Sequence, residues 1–211
     1  MISLPRLYAI LDISCFSTPE ALFGAAEELV IAGVMVLQYR DKSANAQQML
    51  EIARDLRDGS WPARAAATHG PKLIMNDRAD LCLAADFDGV HVGQDDLSPE
   101  GARKIVGAER WLGVSTHNPQ QVREAEKTSA DYIAIGPVFT TASKSIPDPV
   151  IGLSGVRQAR ALTNKPLVAI GGITRENCRS VIDAGADSVA VISDLIREPG
   201  KSAEEFLRIL G

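Results

Sequence analysis

The sequence predicts an eight-stranded parallel (β/α)8 barrel, a TIM barrel, as a single domain over residues 1–211. Three observations lead there. Eight short β-rich apolar runs are spread along the chain, and longer segments of helical period alternate with them. Most of the runs are apolar almost throughout, as parallel strands buried on both faces are. The same alternation also fits an open, doubly wound sheet, which is the alternative architecture.

In chain order the strand candidates are 7–11 (LYAIL), 34–40 (VMVLQYR), 72–76 (KLIMN), 89–93 (GVHVG), 111–115 (WLGVS), 132–138 (YIAIGPV), 166–171 (PLVAIG) and 188–193 (SVAVIS). Helix start signals stand between them. Thr18-Pro19-Glu20, Ser98-Pro99-Glu100 and Asn118-Pro119 each offer an N-cap side chain followed by proline at the first helical position. A further helix is expected after Thr174, and Lys201 to Leu210 closes the chain. Ala32-Gly33 and Ala184-Gly185 fall where a helix ends, with glycine as its C-cap. Residues 59–71 form a longer connection ahead of the third strand, expected on the N-terminal side of the barrel, away from any chemistry. No domain boundary or low-complexity segment interrupts the pattern.

The bulk numbers exclude several classes. A chain of 211 residues with 45% hydrophobic and 23% charged residues is neither disordered nor fibrous. No apolar run approaches the roughly 20 residues that span a bilayer. The start, MISLPRLYAIL, lacks the basic region and small-residue cleavage site of a secretory signal. A formal net charge of −5 with no basic run makes nucleic acid an unsuitable partner. Cys15, Cys82 and Cys178 are odd in number and scattered, which suits a reducing cytoplasm and fits neither a disulfide framework nor a zinc spacing. The expectation is a cytoplasmic protein without membrane partners; a homo-oligomer is compatible with the sequence but not read from it.

In such barrels chemistry collects on the loops that follow the strands. Alternate residues of a strand share a face, so Gln38, Arg40 and Lys42 can point together, an amide and two cations suited to a diphosphate. Taken alone they also fit a solvated strand end. Asn76-Asp77 ends the third strand, and Gln94-Asp95-Asp96 follows the fourth. Carboxylates on neighbouring strand ends can share magnesium, which takes one or two carboxylates and completes its shell with water and phosphate oxygens. The expected pair is Asp77 and Asp96, although position does not decide between Asp95 and Asp96, and each could instead cap a helix. Ser115 ends the fifth strand beside Thr116 and His117. As a nucleophile it would need a base and an orienting acid, and none is apparent, so hydrogen bonding to a ligand is the expected role. His69 and His91 read as structural. The segment after the sixth strand, with Thr141, Ser143 and Lys144, suits an anion clamp, and 139–150 suits a mobile lid. Gly171-Gly172 and Ile192-Ser193 stand where this barrel type often binds phosphate through backbone N–H groups. Two anion sites imply two phosphorylated small-molecule substrates. With no evident nucleophile between them, a reaction driven by loss of diphosphate is favoured.

These residues, taken as an ordered set, resemble the thiamine-phosphate synthase family. The matching elements are QYRDK at 38–42, ND at 76–77, GVHVGQDD at 89–96, GVSTH at 113–117, GPVFTTASK at 136–144, AIGG at 169–172 and VIS at 191–193. The resemblance implies a barrel enzyme that joins an aminopyrimidine methyl diphosphate to a thiazole ethyl phosphate, by departure of diphosphate from carbon and capture by the thiazole nitrogen. It implies that Gln38, Arg40, Lys42, Asn76, Ser115 and Lys144 bind the pyrimidine diphosphate, with Lys144, Arg40 and Ser115 assisting the reaction. Asp77 and Asp96 would hold one magnesium ion. Thr141, Ser143, Gly172, Ile192 and Ser193 would receive the thiazole phosphate. One departure is visible: the family's Thr-x-Thr-Lys is Thr141-Ala142-Ser143-Lys144 here, which keeps the hydroxyl. A related thiazole tautomerase and a non-enzymatic phosphate-binding protein are the competing readings. The carboxylates and cations present here disfavour both.

Overall fold

The computed structural model describes residues 2–59, 70–141 and 149–211. Eight strands run β1 (Leu7–Asp12), β2 (Val36–Arg40), β3 (Lys72–Asn76), β4 (Gly89–Val92), β5 (Trp111–Thr116), β6 (Tyr132–Ile135), β7 (Leu167–Ile170) and β8 (Ser188–Val191). All neighbours pair in parallel, and β1 also pairs with β8, Leu7 against Val189 and Ala9 against Val191. The sheet is closed, which excludes the open doubly wound alternative.

Between the strands lie α1 (Pro19–Ile31), α2 (Ala46–Asp58), α3 (Ala79–Ala84), α4 (Pro99–Val106), α5 (Pro119–Glu126), α6 (Gly152–Arg160) and α7 (Cys178–Asp183). After β8 come a single turn, α8 (Ser193–Ile196), and a longer helix, α9 (Pro199–Leu210). The expected caps are in place. Thr18, Ser98 and Asn118 accept from the backbone N–H groups of Ala21, Gly101 and Gln121 at 3.3, 3.1 and 3.0 Å. Each such cap is worth about 1 kcal/mol. Gly33 and Gly185 take the left-handed conformation just past their helices.

Three strand boundaries differ from the sequence pattern by two residues or more, each for a local reason, and the other strand shifts are of one residue. The second strand begins at Val36, because the Val34 N–H still closes the end of α1 on Leu29 O at 3.0 Å. The sixth stops at Ile135, because Pro137, after a cis peptide bond, has no N–H for a ladder. The eighth stops at Val191, where Ile192 turns the chain into α8. Most of the 59–71 connection lies outside the described residues. Its flanks join the end of α2 to the start of β3, on the N-terminal side of the strands as expected.

Strand periodicity sorts the core into two layers. Leu7, Ala9 and Leu11 face outward into the apolar layer beneath the helices. Tyr8 and Ile10 face inward, where they meet Val36, Ile74, Tyr132, Ala134, Val168 and Ala190.

A repeated ion pair braces the N-terminal end of the barrel. The aspartate immediately before β4, β6 and β8 reaches back to the start of the preceding strand. Asp88, Asp131 and Asp187 accept from the backbone N–H groups of Leu73, Leu112 and Leu167 at 3.0, 2.8 and 2.8 Å. Each also takes an arginine from the helix before that strand: Arg57 at 2.7 Å, Arg103 at 2.6 Å and Arg160 at 2.8 Å. The position before β2 is Met35, so that pair of strands lacks the brace.

Candidate active site

At the opposite end, the C-terminal ends of the strands surround a cavity of about 870 Å³. Gln38, Arg40, Lys42, Asn76, Asp77, Asp96, Ser115, Thr141, Gly172, Ile192 and Ser193 all border it. Ser143 and Lys144, and most of the expected 139–150 lid, lie outside the described residues.

Alternation along β2 produces the first wall. Gln38 and Arg40 face the cavity, while Tyr39 turns into the outer core and donates from its hydroxyl to Asp41 Oδ2 at 3.2 Å. Asp41 also accepts from the Ser43 and Ala44 N–H groups at 2.8 and 3.0 Å, which holds the turn that carries Lys42. Arg40 is ion-paired to Asp12 at the end of β1, and Lys42 to Asp77. Asp12 is 3% exposed and was not singled out in the sequence. Its signal was a lone acid ending an otherwise apolar strand.

The helix-capping alternatives for the two carboxylates are not met. The helix after Asp77 starts without a side-chain cap, and Ser98 rather than Asp96 caps the helix that follows it. Asp77 instead takes a left-handed backbone (φ 62°), and its N–H donates to His91 O at 2.7 Å. Asp96 is fixed by the Gly93 N–H, which donates to its Oδ2 at 2.8 Å. Asp77 and Asp96 are thereby neighbours at the rim, close enough for Asp96 to act on the Asp77 carboxyl. Burial first, and then Asp96, pushes the Asp77 carboxyl above the usual carboxylate range, with Lys42 opposing. Among the described residues no three-residue cluster of His, Cys, Asp or Glu is arranged to hold a metal. Two crowded carboxylates fit magnesium, which needs no larger protein cage when phosphate is present. Asp95 borders the same cavity, exposed.

Asn76 is buried, and among the described residues its Nδ2 has no partner. An unpaired amide donor costs about 1–3 kcal/mol, which a ligand acceptor would offset. Ser115 Oγ is 2.9 Å from His91 Nε2, and His91 Nδ1 is 3.1 Å from the Tyr132 hydroxyl. Burial pushes His91 down to about 4, so the imidazole is neutral at physiological pH. Among the described residues no carboxylate orients this histidine, whose ring partners are Tyr132 and Ser115, so the hydroxyl–imidazole pair is not a nucleophilic triad. His117, the nearer histidine in sequence, places Nδ1 2.7 Å from Gly136 O instead. Sequence reasoning set His91 aside as structural, and it missed Tyr8 and Tyr132, which reads as strand aromatics do.

The far wall belongs to β7 and β8. Gly172 (φ 63°) packs so closely under the previous loop that a Cβ would come within 2.5 Å of Thr140 O. Only glycine fits there without displacing backbone. Asn177 Nδ2 donates to Gly172 O at 3.0 Å, and Arg175 grips Asp194 (3.1 Å) and Glu205 (2.5 Å). The glycine turn and the Ser193 turn are thereby tied together. A second cavity, about 490 Å³, lies between α5 and α6, and its described lining contains no titratable side chain.

Fold and rim define a class: a β/α-barrel enzyme whose strand ends are arranged for phosphorylated ligands. Residues 7–195 match the family model described as thiamine monophosphate synthase, and the chain belongs to that family. It is 58% identical over 212 residues to a thiamine-phosphate synthase of Koribacter versatilis, covering 99% of this chain and 97% of the relative. It is 42% identical over 191 residues to one from Chloroflexus aurantiacus, covering 90% and 85%. A solved thiamine phosphate pyrophosphorylase from Pyrococcus furiosus superposes with a TM-score of 0.82 at 34% identity, covering 97% of this chain and 95% of that one.

Proposed function

We propose that the chain joins 4-amino-2-methyl-5-hydroxymethylpyrimidine diphosphate to 4-methyl-5-(2-phosphoethyl)thiazole, or its carboxylated form, giving thiamine phosphate and diphosphate. Family membership carries the reaction. The observation that carries the assignment to this rim is the meeting of Asp77 and Asp96 beside Arg40 and Lys42. The tautomerase reading has no use for that pair.

The chemistry assigned to the residues follows from charge. Magnesium, held by Asp77 and Asp96, would offset diphosphate charge and ease its departure from carbon. Arg40 and Lys42 supply further positive charge where the leaving group gathers negative charge, and Lys144 is assigned the same part from the loop. Gln38, Asn76 and Ser115 hold the pyrimidine. Gly172, Ile192 and Ser193 are assigned to the thiazole phosphate through backbone groups, and Thr141 and Ser143 to the same phosphate through their hydroxyls. Substitution at carbon needs no protein nucleophile, in keeping with a Ser115–His91 pair that has no orienting acid among the described residues. Among the described residues no helix is long and apolar enough to cross a membrane, and the three cysteines are unpaired. The unpaired thiols support a reducing, cytoplasmic location.

The test is a two-substrate assay with each substrate and magnesium omitted in turn. Thiamine phosphate and diphosphate should form in equal amounts only when all three are present. A folded protein that forms no product from authentic substrates would sink the synthase reading, and product formation without magnesium would remove the metal from it.

A further inference from the structure

Five side chains form one hydrogen-bonded line across the barrel interior. Gln38 Nε2 donates to the Tyr8 hydroxyl at 2.8 Å. The Tyr8 and Tyr132 hydroxyls are 2.9 Å apart, Tyr132 is 3.1 Å from His91 Nδ1, and His91 Nε2 is 2.9 Å from Ser115 Oγ. All five border the floor of the cavity, where Gln38, Tyr8, Tyr132 and His91 are buried and Ser115 is the most open of the five. The crossing is possible because position 113 is glycine: a Cβ there would lie 2.1 Å from the Tyr132 ring and 2.4 Å from His91 Nδ1.

Counting hydrogens gives the line a direction. Each link carries one hydrogen, and a neutral imidazole has one to give. Tyr8 receives from Gln38, so its own hydrogen goes to Tyr132, and that of Tyr132 goes to His91 Nδ1. His91 is then the Nε2–H tautomer and donates to Ser115. The Ser115 hydrogen is left over for the cavity, while Gln38 keeps its Oε1 as an acceptor. With Gln38 donating, the opposite direction would strand a phenolic hydrogen in the barrel interior, which is unfavourable.

We propose that Tyr8, Tyr132 and His91 are positioning residues that set the hydrogen-bond polarity of the pyrimidine pocket, so that Ser115 donates and Gln38 accepts. With the ring nitrogen seated at Ser115 and the exocyclic group at Gln38, that polarity matches an amino-substituted nitrogen heterocycle, which offers an N–H beside a ring nitrogen lone pair. It opposes the oxo counterpart, whose edge carries the reverse pattern. This rests on the synthase reading for the identity of the heterocycle but not for the direction of the line.

The experiment has two arms on the full chain. Nitrogen-15 NMR of the imidazoles should show His91 as the Nε2–H tautomer, and Tyr132→Phe or Tyr8→Phe should release it to a mixture. Calorimetry with magnesium then compares 4-amino-2-methyl-5-hydroxymethylpyrimidine diphosphate with its 4-oxo analogue. Each variant should weaken binding of the amino compound about three- to tenfold and reduce the preference over the oxo compound about tenfold. The double variant should cost no more than either single one, because one break releases the whole line. Affinity for the thiazole phosphate should not change. An Nδ1–H tautomer in the unaltered protein, or additive losses with intact selectivity, would overturn the proposal. Failure of turnover in the unaltered protein would count against the synthase reading, while the NMR arm would still decide the direction of the line.

Discussion

Among the described residues Asp77 and Asp96 crowd each other with no third acid in a metal-holding cluster, so each would carry a large share of any bound cation. Asp77→Asn or Asp96→Asn should raise the magnesium concentration needed for half-maximal rate by about tenfold or more, the usual scale for a lost charged ligand. Asp95→Asn should raise it much less. Rates measured against magnesium concentration check this, and equal effects at 95 and 96 would contradict the pair. Lys144→Ala should lower turnover about 10²–10³-fold in steady-state assays, the scale for one group that stabilises developing charge. At this scale the sequence was informative wherever a polar residue interrupts an apolar strand end, as at Gln38, Asn76 and Ser115. Asp12 showed only as a lone acid at a strand end, with no hint of its partner, and Tyr8 and Tyr132 did not show at all. A buried acid and two strand aromatics show their partners only when distant strands are brought together, here β1 with β2 and β6 with β4.

Loops become site walls through the bonds that tie them to one another. The wall formed by the Gly172 turn and Ser193 is held by Arg175, whose guanidinium spans Asp194 and Glu205. Arg175→Ala should raise the KM for the thiazole phosphate about tenfold and leave the KM for the pyrimidine diphosphate nearly unchanged, because Arg175 touches only one wall. A matching rise in both constants in two-substrate kinetics would show that the whole rim had loosened. Element order, caps and most boundaries were legible because Pro, Ser, Thr and Asn at helix starts act through bonds within three residues. The bonds that join one loop to the next, Arg175 to Asp194 among them, span long stretches of chain and leave no local pattern.

Across the molecule, the repeated aspartates stabilise the end of the barrel that carries no chemistry. Burial opposes the charge on Asp88, but Lys72, the Leu73 N–H and Arg57 together hold its carboxyl below the usual range. A depressed folded-state pKa means stability that is present above the unfolded value and lost as pH falls through the folded one. Asp88→Asn should therefore cost about 2 kcal/mol at neutral pH, a fall in Tm of roughly 4–8 °C for a chain of this size. The difference from the unaltered protein should shrink in acid, below the ordinary carboxylate range, while kcat at moderate temperature stays the same. Thermal melts across pH check both parts. The barrel was legible in eight apolar runs, whereas its closure was not, since Leu7 and Val189 meet only in three dimensions. Along each braced pair of strands, endurance is written at the entry and reactivity at the exit, four to six residues away. Lineages of this enzyme can therefore adapt to hotter or colder surroundings by editing one rim while the other keeps its catalytic inheritance.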